Sequence, residues 1–482
     1  MSSYAVIGGG VSGLAAARTL ALSRAGDVTV FEASGRFGGK VLTAALDSLP
    51  IDLGPDQFLR RDPSAEQWCR DLGLGDFLVA PEASTAGVFS HGRARQLPRR
   101  LALGIPTDLA EVAASGIVSE EGCRLAGQAG LGLAPLTPAE LGLETDGPAV
   151  ERSAGAILRE RLGDEVVDRL VDPLLGGING GGVDSLSLAV AAPQIARGLA
   201  GRRDVVEALS GVVSPGDGPS ASPFFGLAGG LGQLTGSAVR ELSSAGVVLR
   251  ASAPVDSMDA VVGPSGSRIR LVLERGEPFM ADGVVVATPG PATAALLSRL
   301  SPEAATLCRG VPYSSVVLTT LVLPPGALDV PPSWSGVLVP RVEGFVTTAV
   351  SFLTRKWGWL SRHAFGGRPV DVLRVSAGRF SDDRALQMAD GELIDHLLSD
   401  LATIVGLRTR PLTSHVQRWE GAFPQYLPGH AARVAHLLAD LEGRPSVALA
   451  GALLGGIGVP ACISSGAEAA RRLLERVPSG RG

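Results

Sequence analysis

The chain has 482 residues, 45% of them hydrophobic, and a formal net charge of −5. That length exceeds what one ordinary core fills, so two or three lobes are expected. The acidic balance and the lack of any basic run argue against a nucleic-acid binder, and the four scattered cysteines (Cys69, Cys123, Cys308, Cys462) indicate neither a disulfide framework nor a zinc site.

The first forty residues are the most informative. Tyr4-Ala-Val-Ile reads as a short apolar strand that runs into Gly8-x-Gly10-Val11-Ser12-Gly13, and a small-residue helix follows. In that spacing the first glycine permits a tight turn, the second lets backbone approach a pyrophosphate, and the third lets helix pack on strand. The helix N-terminus offers unpaired N–H groups to the phosphates. Glu32 and Ala33 end a second strand, and Glu32 is placed to accept hydrogen bonds from a ribose diol. Arg36-x-Gly38-Gly39-Lys40 comes next; it resembles the second glycine pair of the amine-oxidase-type flavoproteins, and that resemblance favours FAD over NAD(P).

Gly54-Pro55-Asp56-Gln57-Phe58 reads as a turn. From about Ser64 to Arg203 the apolar spacing of three and four predicts a largely helical lobe, clearest from Ser153 to Leu175. Val213 to Pro223 is a low-complexity linker. A second glycine turn at Gly229-Gly230 leads into a helix through Leu242, and strands are predicted at Val247–Ala251, Ile269–Leu273 and Val284–Thr288. A β-rich region covers 310–380, and a helix is predicted over 390–405. The chain ends on strand, glycine loop and helix, from Val447 through Gly451 to Leu474.

The expected class is therefore α/β. A FAD-binding Rossmann-like domain is assembled from both chain ends, with a β-rich substrate domain and an inserted helical lobe. Boundaries are expected at 1–60, 224–295 and 416–482 for the FAD domain, 61–205 for the helical lobe, 206–223 for the linker and 296–415 for the substrate domain. The N-terminus shows no basic n-region, and the most apolar late stretch, Val447 to Ile463, is broken by glycines and a proline. Together these predict a cytoplasmic protein, with peripheral membrane contact left open. The six histidines show no metal-ligand spacing, so no metal is expected, and nothing in the pattern speaks to oligomeric state.

Several stretches together resemble the oxygen-dependent protoporphyrinogen/coproporphyrinogen oxidase family, within the FAD amine-oxidase-type flavoproteins. Besides the N-terminal fingerprint they are Gly54-Pro-Asp-Gln-Phe-Leu59, Leu162 to Ile178, Gly229-Gly-Leu, Arg418 to Tyr426 with Gly429-His430, and Gly451 to Ile463. The block from Leu162 to Ile178 looks most like the coproporphyrinogen III oxidases of Gram-positive bacteria. The resemblance implies FAD extended between the two chain ends. Gly8, Gly10, Val11, Ser12 and Gly13 would meet its diphosphate and Glu32 and Ala33 the adenosine ribose. Arg36, Gly38 and Gly39 would line the opposite side, and Lys40, Gly54, Pro55 and Asp56 would also bind the cofactor. Val255 would offer backbone to the adenine. Trp419, Gly451, Gly458, Val459 and Ile463 would close over the ribityl chain and the ring.

The implied reaction is oxidation of coproporphyrinogen III to coproporphyrin III by FAD and O2, with release of H2O2, in heme biosynthesis. The flavin is itself the oxidant, so no catalytic side chain is expected. Arg61, Arg341, Arg355 and Lys356 are candidates for the substrate propionates, and Asn179 for substrate contact. Where the family usually carries a Tyr-Ala-Gly-Asp type of turn, this chain has Asn179-Gly-Gly-Gly182. That departure keeps alternatives open: protoporphyrinogen IX as substrate, a diverged amine-oxidase-like enzyme, or a non-catalytic FAD-binding protein.

Overall fold

In the computed structural model the Ser2–Ile7 strand lies at the centre of a five-stranded sheet. The order is Val248–Arg250, Gly26–Phe31, Ser2–Ile7, Gly283–Val286, Val447–Leu449, and every pair is parallel. The structure describes residues 2–83, 85–144, 150–210, 222–263, 266–444 and 446–477. The start, middle and end of the chain thus build one sheet, as the terminal motifs predicted. Its inner strands are apolar over Tyr4–Ile7 and Val284–Val286 because both faces are covered there. Tyr4 and Val6 pack with Leu14, Leu234 and Leu473 on one face. Ala5 and Ile7, one residue out of phase, pack with Phe31, Leu271 and Val286 on the other.

Helix Val11–Ser23 and helix Val459–Arg476 run against each other below this sheet. Their backbones approach closely: a Cβ built on Gly466 would lie 2.0 Å from the Ser12 carbonyl oxygen. The first and last helices are therefore in direct backbone contact.

The second large sheet has seven strands in the order Thr413–Pro424, Tyr313–Leu323, Asp371–Ala377, Thr347–Phe352, Trp334–Leu338, Thr85–Ser90, Arg93–Gln96. All its pairings are antiparallel except Trp334–Leu338 with Thr85–Ser90. Two expectations change here. The 61–205 segment is not helical throughout, since Thr85–Ser90 and Arg93–Gln96 form a hairpin that completes this sheet. Its two-residue turn is His91-Gly92, with φ of +52° and +76°, a geometry whose twist matches that of paired strands. The boundary at 415/416 also cuts through a strand, because Thr413–Pro424 pairs along Tyr313–Leu323. Trp419 thus belongs to the seven-stranded sheet.

The helical lobe buries Ile157, Leu158, Val166, Leu170, Val171 and Ile195. The long stripe from Ser153 to Leu175 is two helices broken at Gly163, whose φ is +78°. The second widens into a π-helix over Val167–Gly176, with Pro173 inside it. A proline has no N–H to give and crowds the preceding turn, which favours such a widening. In the stretch Leu125–Leu143, Leu136 and Leu141 are buried while Leu125 and Leu131 are exposed. Residues 206–210 of the expected linker fall in helix Val205–Ser210, and 211–221 lie outside the described residues. No helix among the described residues is long and apolar enough to cross a membrane.

Candidate functional site

Two glycine turns from the first forty residues and a third from residue 451 meet at the carboxyl end of the central strand. On Gly13 a Cβ would come within 1.8 Å of the Gly8 oxygen, so this position is dictated by packing of helix on strand. The Gly38 N–H donates to the Gly9 oxygen at 2.8 Å. A Cβ on Gly39 would stand 3.0 Å from Gly10 Cα. The Gly451 turn closes the set, its N–H donating to Ser465 Oγ at 2.9 Å.

Two helices begin here without a side-chain cap, Val11–Ser23 at Gly10 and Val459–Arg476 at Gly458. Uncapped first-turn N–H groups attract an anion. Lys40 adds positive charge. Its side chain is exposed, yet desolvation lowers its ammonium, with Cys462 acting on it as the next influence. Both hold for a group lining a recess walled by protein. Cys462 itself is raised by burial and faces Ser12 and Lys40.

Glu32 lies at the tip of Gly26–Phe31, as expected, and is already engaged. The Gly9 N–H donates to Glu32 Oε2 at 2.7 Å, and the Ser34 N–H and Oγ donate to Oε1 at 2.8 and 2.7 Å. The carboxylate therefore braces the first glycine turn. Arg36 Nη2 donates to the Gly39 oxygen at 2.7 Å and holds the second turn. Ala33 is exposed beside Glu32, and the Ala253 N–H donates to the Glu32 oxygen, which brings the approach to Val255 alongside. Trp419 Nε1 donates to the Leu53 oxygen at 2.6 Å and fixes the turn that holds Gly54 and Pro55.

The geometry gives several of the expected site residues other partners. Asp56 does not face the glycine turns. It is buried, accepting from Lys356 Nζ at 2.7 Å, Trp357 Nε1 at 3.0 Å and Arg374 Nη2 at 2.8 Å. Burial alone would raise its carboxyl, but Arg374 and then Lys356 hold it well below the usual carboxylate range. This also takes Lys356 out of the set of free cations. Ile463, like Val459, packs its side chain into the core under the sheet, which leaves its backbone as the part able to face a ligand. Asn179 is buried, its Nδ2 donating to the Leu175 oxygen at 2.8 Å, so it shapes its turn from within. Arg355 is spent on the Pro331 oxygen at 3.1 Å and on the Phe352 ring at 4.9 Å.

Arg61 is exposed, just before helix Pro63–Asp71. Ser64 Oγ donates to the Pro460 oxygen at 3.0 Å, so Arg61 stands near the start of the last helix. Arg341 is exposed before Thr347–Phe352, whereas Arg355 follows that strand's other end. Six residues of strand separate the two ends by about 20 Å, so Arg341 and Arg355 cannot grip one group. Sequence reasoning missed Arg374 and Arg379. The signal for Arg374 was an arginine between Leu373 and Val375 in an apolar strand, which demands a buried partner.

Two surface recesses, of about 360 and 350 Å³, lie elsewhere, one on Asp395 and Arg408 and the other on His91 and Cys123. No group of three or more metal-ligating side chains occurs among the described residues.

The paired glycine turns, the two uncapped helix starts and the acid at the strand tip form a cradle with the charge and backbone access that a dinucleotide needs. The profile of the family described as flavin containing amine oxidoreductase matches residues 11–474. The chain belongs to that family. Its cofactor is accordingly FAD, and the cradle fits it. A coproporphyrinogen III oxidase from Mycobacterium tuberculosis (strain ATCC 25618 / H37Rv) is 34% identical over 477 residues, covering 98% of this chain and 97% of the relative. One from Bacillus subtilis (strain 168) is 30% identical over 479 residues, covering 96% of each. Among solved structures, one assigned as a protoporphyrinogen oxidase from Exiguobacterium sp. 255-15 superposes with a TM-score of 0.83 at 27% identity, over 98% of this chain and 99% of that one. Cyclohexylamine oxidase from Brevibacterium oxydans IH-35A shares the fold, with a TM-score of 0.68 at 18% identity over 98% of this chain and 99% of that one.

Proposed function

We propose that this chain oxidises coproporphyrinogen III to coproporphyrin III, with O2 as the final acceptor. A porphyrinogen joins four pyrroles through saturated carbons, and three two-electron oxidations make it aromatic. The balance is one coproporphyrinogen and three O2 to one coproporphyrin and three H2O2. Bound FAD supplies the two-electron oxidation. The protein's part is to bind, orient and exclude water. The first-turn N–H groups of Val11–Ser23 would hold the diphosphate, with Lys40 adding positive charge. Glu32 would keep the first glycine turn in shape while facing the adenosine ribose. Aromatisation supplies driving force, so no dedicated general base is needed.

The observation that carries this reading is the 34% identity to a coproporphyrinogen III oxidase across 98% of the chain. The test is anaerobic mixing of the yellow holoprotein with coproporphyrinogen III and, separately, protoporphyrinogen IX. Bleaching of the flavin by the tetracarboxylate, then fluorescent coproporphyrin and H2O2 on admitting air, is expected. Faster bleaching by the dicarboxylate would reassign the substrate to protoporphyrinogen IX, the reading favoured by the Exiguobacterium structure. Bleaching by neither overturns both.

A further inference from the structure

Thr347 pairs with Ala377 across two neighbouring strands of the large sheet. The segments flanking them leave the sheet at the same end, and each carries an arginine, Arg341 and Arg379. Arg379 is 8% exposed, and its Nε has no hydrogen-bond partner among the described residues. Its nearest carboxylate, Asp382, stands 3.8 Å away and is taken by Arg384, whose Nε and Nη2 each donate to it at 2.9 Å. Arg341 forms no ion pair among the described residues and only a long 3.4 Å hydrogen bond to the Phe380 oxygen.

Glu343 pairs with Arg169. Asp172 Oδ1 accepts the Val183 N–H at 2.9 Å; burial raises its carboxyl, and Arg341 and Arg379 act against that rise, but it closes an ion pair with neither among the described residues. Two guanidinium groups therefore share one buried carboxylate, a site with too little negative charge. A buried cation left in that condition is costly and marks a place built for an anion. The Asn179–Gly182 turn roofs the spot. The Phe380 N–H donates to the Gly180 oxygen at 2.8 Å, and a Cβ on Gly182 would stand 3.3 Å from Arg341 Nη2. Lack of a side chain at 182 keeps the space beside Arg341 open. The same turn is tied to the Gly451 loop: Gln425 Nε2 donates to the Asn179 oxygen at 3.0 Å, and the Tyr426 hydroxyl donates to the Ala452 oxygen at 2.7 Å.

We propose that Arg379, with Arg341, forms a subsite for one carboxylate of the tetrapyrrole substrate, gripping a propionate at the end of the seven-stranded sheet. The inference rests on the porphyrinogen reading above. A carboxylate between two guanidinium groups gains charge-assisted hydrogen bonds.

The test compares Arg379→Gln, Arg379→Lys and Arg341→Gln holoproteins with the unmodified one. Binding of coproporphyrin III and of its neutral tetramethyl ester is followed by porphyrin fluorescence, beside kcat and KM on coproporphyrinogen III. Arg379→Gln is expected to weaken binding of the acid roughly 10- to 100-fold. Ester binding stays unchanged, KM rises more than kcat falls, and the melting temperature holds or rises because an unpaired buried charge is gone. Arg379→Lys recovers part of the loss, and it carries the comparison if Arg379→Gln does not fold. Unchanged binding of the acid, or equal loss of acid and ester, overturns the subsite and leaves the porphyrinogen reading standing. Unmodified protein that binds neither porphyrin overturns both.

Discussion

A Cβ on Gly466 would sit 2.0 Å from the Ser12 oxygen, at the crossing of the first and last helices of the chain. The obstacle is backbone, so it cannot swing aside. Gly466→Ala is expected to cost about 1–3 kcal/mol and to lower FAD occupancy, because Ser12 lies in the first turn that faces the cofactor. Gly127→Ala is the control. It lies within helix Glu120–Ala129 with nothing within 4 Å of a new Cβ, so it should be neutral or stabilise by up to about 1 kcal/mol. Thermal melts with and without added FAD read both.

Asp56→Asn would leave Lys356 and Arg374 buried without a counter-charge. A broken buried pair typically costs about 3–5 kcal/mol. The Gly54 turn should also loosen, since Arg374 Nη1 donates to the Gly54 oxygen at 2.9 Å. The expected outcome is a large drop in melting temperature, with FAD retained less well as temperature rises.

Two buried groups should pull stability in opposite directions between pH 4 and 6.5. Burial lifts Asp52 to about 6. Its ionisation in the folded state is penalised, so its contribution falls as pH rises from the ordinary carboxylate value to about 6. Burial lowers His430 to about 4. Holding it neutral costs more as pH falls, so its contribution rises with pH over the same range. Relative to the parent, Asp52→Asn should gain stability as pH rises and His430→Gln as pH falls, each by on the order of 2–3 kcal/mol across the window. Urea melts at half-unit pH steps would show the opposed slopes. Parallel slopes would contradict the assignment.

Glu32→Ala removes the acceptor of the Gly9 and Ser34 N–H groups. Loss of a charged acceptor at a glycine turn should weaken FAD about tenfold or more. Equilibrium dialysis of the apoprotein against FAD measures this, and unchanged affinity would free Glu32 from its bracing part.

The cofactor cradle was legible because its signals are local. Gly8 to Gly13, Glu32 and Gly38-Gly39 stand within one strand–helix–strand unit, where spacing alone reports geometry. Asp56 was misread for the opposite reason. Its partners Lys356 and Arg374 are 300 and 318 residues away, and nothing in the turn itself distinguishes an acid facing a ligand from one facing a buried cation pair. Arg379 was hidden in the same way, because its lack of a partner depends on Asp382 having chosen Arg384. The hairpin at Thr85–Gln96 was overlooked although His91-Gly92 marks its turn, because the helical spacing around it dominated the reading.

The order of strands in the central sheet constrains how the molecule is made. Ser2–Ile7 leaves the ribosome well before one of its neighbours, Gly283–Val286, and the edge strand Val447–Leu449 follows later still. At about 5–20 residues per second, the Ser2–Ile7 strand waits roughly 15–60 s for that partner. During that time its apolar faces lack their native cover, and the sheet edge that carries the glycine turns is incomplete.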